Sequence, residues 1–143
     1  MEFTERITYG LEGAEDAYHV RIPVFVEEQG FSAGLEKDEI DARAWHLVLF
    51  DGERPVATGR FFEENGSWHI GRVAVLKDYR ACGLGRRLME GMERKLRELG
   101  AKEVRLSAQC RAMGFYESLG YQSEGGEYLD EFCPHRNMRK CLL

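Results

Sequence analysis

The sequence contains no run of about 18 apolar residues, the length that a helix needs to cross a membrane. Its first residues also lack the basic-then-apolar order of a secretion signal. Both absences lead us to expect a cytoplasmic protein with no membrane partner. The chain has 143 residues, 43% of them hydrophobic, which suits one core and is too little for two ordinary domains. We therefore expect residues 1–143 to form a single domain.

Cysteine is sparse, and its spacing fits neither of the roles that clustered cysteines usually serve. The four cysteines form no C-x-x-C pair and lack the density of a disulfide framework. We expect them to be reduced thiols. Cys133, His135 and Cys141 could be interpreted as part of a zinc site, but their spacing matches no common ligand set, so we predict no metal.

An excess of positive charge is also missing. The net charge is −5, whereas a general nucleic-acid surface needs clustered Lys and Arg on a basic domain, so we expect no nucleic-acid partner. The charges are unevenly distributed along the chain. Acidic side chains are concentrated in residues 27–41, including Glu36, and Arg80, Arg86 and Arg87 surround a glycine-rich turn.

Changes in hydrophobic period divide the chain into strands and helices. Strands are predicted at residues 3–9, 46–50, 55–63, 68–76, 103–107, 121–123 and 132–142, and helices at residues 14–29, 83–100 and 111–119. Pro23 should split or kink the first helix, and Gly125-Gly126 should interrupt the sixth strand. Asp51-Gly52 and Asn65-Gly66 should form hairpin turns. This order predicts an α/β fold of the α+β type, in which helices cover a mixed sheet.

The helix predicted after Gly83 has the clearest pattern in the chain. One face carries the apolar stripe Leu84, Leu88, Met92, Leu96 and Leu99. The opposite face carries the charged residues Arg86, Glu90, Glu93, Arg94 and Arg97. This spacing predicts an amphipathic helix with Glu90–Arg94 and Glu93–Arg97 pairs on its exposed side.

The turn before that helix is typical of a phosphate site. An apolar strand ends at Leu76 and leads through Arg80-Ala81-Cys82-Gly83-Leu84-Gly85 into the helix. The first amides of a helix lack intrahelical acceptors and lie at the positive end of its dipole, and glycines let a phosphate approach them. The sequence has neither the Gly-Lys-Ser/Thr of a nucleoside triphosphate loop nor the third glycine of a dinucleotide fingerprint. The alternatives left by spacing are a diphosphate of another cofactor and a turn whose glycines serve only tight packing.

These residues resemble the GCN5-related N-acetyltransferase (GNAT) superfamily. Arg80-Ala81-Cys82-Gly83-Leu84-Gly85 matches its signature of Arg or Gln, two residues, Gly, one residue, and Gly or Ala. The run from Gln109 to Tyr121 is similar to a second family pattern, although many relatives have Asn at the position of Gln109. The resemblance extends from about Trp45 to the C-terminus. It implies a largely antiparallel twisted sheet with a central parallel pair of strands, and acetyl-CoA as the acetyl donor.

The resemblance also implies which residues bind the cofactor. Pantetheine should pair with the backbone of Val73 and Val75, and a backbone N–H of the same strand could polarise the thioester carbonyl. The implied cofactor-binding residues are Val73, Ala74, Val75, Arg80, Ala81, Cys82, Gly83, Leu84, Gly85, Arg86, Gln109 and Tyr116.

Two side chains are the candidates for proton transfer. Tyr116 occupies the family position of a general acid, although a tyrosine beside Phe115 could also be a core residue. The step Cys133-Pro134-His135 is similar to a small-molecule branch in which this His faces the acetyl group. An imidazole, with a usual pKa of about 6.5, can accept a proton at neutral pH. Glu27, Glu28 or a water chain could serve as the base instead, and His46 should be structural.

The acceptor site should include Glu28, Phe31, Arg72 and His135. The acidic loop favours a polyamine-like substrate, whereas Arg72 could hold a carboxylate or phosphate on a small amino compound. We therefore predict acetyl transfer to a primary amine of a small molecule by direct attack in a ternary complex. The alternatives are a protein or peptide N-acetyltransferase and a non-enzymatic acyl-CoA sensor. Small members of the superfamily often pair through C-terminal strands, which suggests a homodimer.

Overall fold

The computed structural model describes residues 2–33 and 37–143, so Glu36 of the acidic loop lies outside the described residues. Within these residues seven strands form one sheet in the order β1-β2-β3-β4-β5-β7-β6. The strands are β1 (Thr4–Tyr9), β2 (Trp45–Asp51), β3 (Arg54–Glu64), β4 (Ser67–Val75), β5 (Glu103–Gln109), β6 (Gln122–Asp130) and β7 (Cys133–Cys141). The α-helices are α1 (Ala14–Arg21), α2 (Leu84–Glu98) and α3 (Met113–Ser118). No helix of the described chain has the length and apolar character needed to span a membrane.

Strand pairing confirms the mixed sheet. Neighbouring strands are antiparallel except β4 and β5, which are parallel. The turn between β3 and β4 lies at Asn65-Gly66, as predicted, with φ of 53° and 80°. The turn between β2 and β3 lies one residue later than predicted, because Asp51 still pairs with Arg54.

Helix α2 buries the predicted apolar stripe against the sheet except for Leu99, which follows the helix and is 37% exposed. On the polar face the predicted Glu93–Arg97 pair is present at 3.9 Å, but the other partners differ from the prediction. Glu93 is only 4% exposed, and its carboxylate accepts hydrogen bonds from Tyr121 and Lys140, both at 2.8 Å. The predicted Glu90–Arg94 pair is wrong, since Arg94 pairs with Glu5 at 2.7 Å. The reason is that β1 and the C-terminal strand flank the helix and provide partners that helical spacing alone cannot reveal.

The helix predicted at residues 14–29 is divided next to Pro23, where it changes from α-helical to π-helical geometry. Helix α1 continues directly into a π-helical segment, Ile22–Glu28, in which the N–H of Gln29 donates to the carbonyl of Val24 at 3.1 Å. Pro23 lies in the first turn of this segment, and because the segment continues α1, the missing N–H of Pro23 removes one hydrogen bond to the preceding turn. π-helical turns are rare and occur frequently at functional sites. The segment carries Phe25 and Glu28 toward the carboxyl end of β4.

Gly125-Gly126 interrupts the pairing of β6 with β7, as predicted, but does not end the strand. The strand continues from Gln122 to Asp130 and pairs with β7, with a register shift between Glu124 and Tyr128. Gly125 adopts a φ of 69° within this irregularity, so the glycines are absorbed by a bulge. The turn of this hairpin contacts the residues that follow the π-helical segment, through Phe31–Phe132 and Ser32–Glu131.

Candidate active site

A cavity opens where β4 and β5 part. The two strands pair only at His69–Arg105 and Ile70–Leu106. Beyond that point, Gly71 to Val75 on one side and Ser107 and Gln109 on the other line a cavity of about 740 Å³. Backbone groups of β4 in this stretch have no β5 partner, so an extended, amide-bearing ligand can pair with them.

A bulge in β4 accompanies this opening. Thr58 of β3 pairs with Ala74 and Arg60 pairs with Gly71, so Arg72 and Val73 together lie opposite Gly59. Arg72 has a φ of 51°, which is uncommon for a residue with a side chain. The irregular backbone lies directly on the cavity wall, where it changes the direction of the Arg72 and Val73 peptides.

The glycine-rich turn presents the start of α2 without a side-chain cap. Ala81 and Gly83 both adopt left-handed conformations, with φ of 72° and 74°. Gly83 is the N-cap residue of α2, and no side chain accepts a hydrogen bond from its first amides. A diphosphate can therefore satisfy these donors. A β-carbon at Gly85 would lie 3.1 Å from the Phe115 ring, so this glycine keeps the helix start in contact with α3.

Most of the predicted site residues line this one cavity, namely Glu28, Phe31, Arg72, Val73, Ala74, Val75, Arg80, Gly85, Gln109, Tyr116 and His135. The others lie on the turn beside it or in the first turn of α2: Ala81, Cys82, Gly83 and Arg86 are exposed, and Leu84 is buried in the core. Arg87, which was also expected near phosphate, donates to the backbone carbonyl of Phe3 at 2.9 Å.

Arg80 links the phosphate turn to the π-helical segment. Its Nε donates to the carbonyl of Val75 at 3.1 Å, and its two Nη atoms lie 2.5 and 2.7 Å from the carboxylate of Glu28. The hydrogen bond from Arg80 holds the pKa of Glu28 below its usual value. The sequence assigned Glu28 to the acceptor site and Arg80 to the cofactor site, and the structure joins them.

Gln109 makes a similar connection to Gln29, the residue that follows Glu28. Its Nε2 donates to Oε1 of Gln29 at 2.8 Å, and its own Oε1 accepts from Nε of Arg111 at 2.8 Å. The side chain is thereby fixed at the end of β5. Gln29 was not predicted to be a site residue. A glutamine that follows two glutamates matches no motif and resembles an ordinary surface residue.

Tyr116 lies on α3 and turns its phenol toward the cavity. Its hydroxyl makes no hydrogen bond within residues 2–33 and 37–143, and its ring packs edge-on against Phe115 and Tyr121. Burial raises the pKa of Tyr116 to about 12. The phenol therefore keeps its proton at neutral pH and can act as a donor.

His135 lies on β7, is only 6% exposed and also lines the cavity. Its Nδ1 is 2.9 Å from the carbonyl oxygen of Cys133. Because a carbonyl can only accept, Nδ1 carries the hydrogen, and Nε2 of the neutral ring keeps its lone pair. Nε2 lies 4.0 Å from Oδ2 of Asp130. The neutral imidazole is thus in the tautomer that a proton acceptor at Nε2 requires.

Asp130 and Glu131 are cavity residues that sequence reasoning missed. Asp130 is the last residue of β6 and Glu131 begins the turn to β7. Glu131 accepts hydrogen bonds from the hydroxyl and N–H of Ser32 at 2.8 and 3.4 Å. The sequence feature that could have indicated these two residues is an acidic pair directly before the predicted final strand.

Arg72 lies at the cavity edge of a buried charge network. Its Nη2 is 3.3 Å from Asp38, whose carboxylate also binds Arg60 at 2.6 and 2.9 Å. Arg60 continues to Asp41, which is fully buried and paired with Arg21. Burial alone would raise the pKa of Asp41, but the hydrogen bond from Arg21 and the neighbouring charges outweigh it and lower that pKa. Asp41 therefore stays ionised and fixes the loop beneath Arg72.

His46 belongs to the same network. Its Nε2 lies 3.0 Å from the carbonyl oxygen of Asp41, and burial lowers the pKa of the imidazole. The ring does not line the cavity described above. A structural role is consistent with this position.

The comparisons with known proteins agree in matching this chain to acetyltransferases and acyltransferases. A family model for the acetyltransferase (GNAT) domain matches residues 9–142. YjcF of Bacillus subtilis, an uncharacterized N-acetyltransferase, is 40% identical over 131 residues, covering 90% of this chain and 93% of its own. A crystal structure assigned to an N-acetyltransferase from Lactobacillus plantarum has a TM-score of 0.91 and 30% identity, with 100% of both chains covered. An acyl-CoA N-acyltransferase from Pseudomonas aeruginosa has a TM-score of 0.88 and 27% identity, covering 98% of this chain and 100% of its own.

Proposed function

The chain belongs to the GNAT family of acetyl-CoA-dependent N-acetyltransferases, and from that premise we propose that it acetylates a primary amine of a small molecule. Acetyl-CoA supplies an acetyl group activated as a thioester. The cavity residues fit such a donor. The uncapped start of α2 offers hydrogen bonds to a diphosphate, and Arg80 places a positive charge beside it. The unpaired stretch of β4 offers backbone groups to amides of an extended chain.

The proposed acid and base line the same cavity. Nε2 of His135 accepts the proton that the attacking nitrogen must lose, and the hydroxyl of Tyr116 donates a proton to the departing sulfur. The bulged peptides at Arg72 and Val73 are the backbone candidates for polarising the reacting carbonyl. Together these groups support direct attack by the amine, with both partners bound at once.

The observation that favours a small acceptor is the contact between residues 31–32 and the β6–β7 turn. Phe31 stacks on Phe132 with ring centroids 5.1 Å apart, and Ser32 bonds to Glu131. These contacts join the two walls of the cavity beside His135. An extended peptide would need an open groove at this place, so the contacts favour a small amine over a protein substrate. Asp130 and Glu131 add negative charge that suits an ammonium group.

A screen of acceptors tests this proposal. The protein is mixed with acetyl-CoA and either small diamines and amino compounds or lysine-containing and N-terminal peptides, and release of the CoA thiol is followed. We expect turnover with a small amine and none with peptides. Turnover only with peptides would overturn the small-molecule assignment, and CoA binding without any transfer would favour the sensor. The single-domain boundary, the cytoplasmic location and the homodimer stay predictions from the sequence.

A further inference from the structure

Two adjacent side chains at the acceptor side of the cavity hold two of the side chains predicted to contact acyl-CoA. Glu28 binds Arg80 of the phosphate turn, and Gln29 binds Gln109 at the end of β5. The same stretch then reaches the β6–β7 turn through Phe31 and Ser32. We call residues 28–32 the bridging segment, since it joins three walls of one cavity.

The guanidinium of Arg80 has no remaining pair of parallel N–H groups for a phosphate. Its end, formed by Nη1 and Nη2, holds the carboxylate of Glu28 at 2.5 and 2.7 Å. Its side, which includes Nε, holds the carbonyl of Val75 at 3.1 Å. Two-pronged binding of a phosphate requires one of these two edges. A diphosphate can therefore gain such a contact with Arg80 only if one partner leaves.

Glu28 is the partner that can leave more easily. The Glu28–Arg80 pair is partly exposed, at 36% and 41% of the side-chain surfaces, and exposed ion pairs contribute little to stability. Its carboxylate would also lie beside a like-charged diphosphate. The Val75 carbonyl, in contrast, belongs to the end of a strand and cannot move away without disturbing β4.

From these contacts we infer that Glu28 competes with the diphosphate of acyl-CoA for Arg80, so that cofactor binding releases Glu28 into the acceptor part of the cavity. This inference rests on the proposed function and adds a binding order to it. While Glu28 is bound to Arg80, the negative charge of its carboxylate is paired with the phosphate turn. Once released, the carboxylate is available to an ammonium group, so the acceptor site is completed only after acyl-CoA binds.

The test is the binding of CoA itself, measured by titration calorimetry at low and moderate salt. Glu28→Gln should bind CoA about two- to fivefold more tightly than wild type, because the competing ion pair is lost. Arg80→Gln should bind CoA about tenfold more weakly or worse. In the Arg80→Gln background, Glu28→Gln should have no further effect on CoA affinity, because the guanidinium for which Glu28 and the diphosphate compete is absent.

Glu27→Gln is the matched control. It removes the same charge one residue away, and Glu27 is exposed and does not line the cavity, so CoA affinity should not change. Circular dichroism on each variant checks that folding is intact. Unchanged or weaker CoA binding by Glu28→Gln, an equal gain in Glu27→Gln, or a gain that persists without Arg80 would each overturn the inference. Failure of wild type to bind CoA would instead overturn the proposed function.

Discussion

Arg21 and Asp41 form an ion pair of 2.9 Å in which both side chains are almost completely buried. Arg21 lies at the end of α1, and Asp41 lies in a short 3-10 helix, Glu39–Arg43, that precedes β2. Asp41 also binds Arg60 of β3, which in turn binds Asp38. The pair therefore fixes the loop that carries Asp38 to the sheet, directly behind the Arg72 bulge of the cavity.

Replacing Asp41 with Asn should destabilise the fold by about 3–5 kcal/mol, because the buried guanidinium of Arg21 would lose its ion pair with Asp41. Urea unfolding followed by circular dichroism measures this loss. The matched control is Asp16→Asn, which removes an exposed partner of Arg6 and should change the free energy of unfolding by less than about 1 kcal/mol. Equal effects of the two substitutions would contradict the structural role of the buried pair.

The order of strands and helices could be predicted from the sequence, because period and turn residues are local properties. The stripe from Leu84 to Leu96 and the turn at Asn65-Gly66 carry such local signals. The partners of buried charges could not be predicted. Glu93 sits on the polar side of α2 by spacing, yet Tyr121 and Lys140 bury it, since partners distant in sequence decide burial.

The candidate site was likewise predictable only in part: its motif residues could be identified from the sequence, but their contacts could not. Motif residues such as Arg80 and Gln109 were found because their spacing is distinctive, and both line the cavity. Their contacts with Glu28 and Gln29 were not foreseen, because they depend on how the π-helical segment approaches the sheet. No period in the sequence distinguishes a π-helical from an α-helical turn at residues 22–28.

Replacing Tyr116 with Phe should lower turnover by about 100-fold or more while CoA affinity stays nearly unchanged, because only the proton donor is lost. Since its pKa is raised to about 12, the phenol stays protonated below that pH. The acid is therefore lost only as the pH rises toward 12, and wild-type turnover should show no decline from Tyr116 between about pH 6 and 10. Steady-state rates across this range and CoA titration check both points. Tyr9→Phe, on an exposed tyrosine of β1, is the control.

Replacing His135 with Asn should reduce kcat/KM by about 10²–10⁴-fold, the usual contribution of a general base. CoA binding should be retained, because the imidazole serves proton transfer rather than the phosphates. His19→Asn removes an exposed imidazole that does not line the cavity, and it should leave the rate unchanged. If His135→Asn kept wild-type turnover, Glu28 or a water chain would replace it as the base.

Replacing Gly83 with Ala should weaken CoA binding about tenfold, or about 1.4 kcal/mol, whereas Gly66→Ala should leave CoA binding unchanged. The two glycines have similar φ angles, 74° and 80°, and a β-carbon at either meets no atom within 4 Å. Both substitutions therefore carry the same left-handed strain, about 1 kcal/mol of folding stability. They differ in place, since Gly83 caps α2 beside the cavity and Gly66 lies in the β3–β4 turn. Calorimetry on both variants separates strain from ligand contact: equal CoA affinities would mean that the start of α2 does not hold the diphosphate.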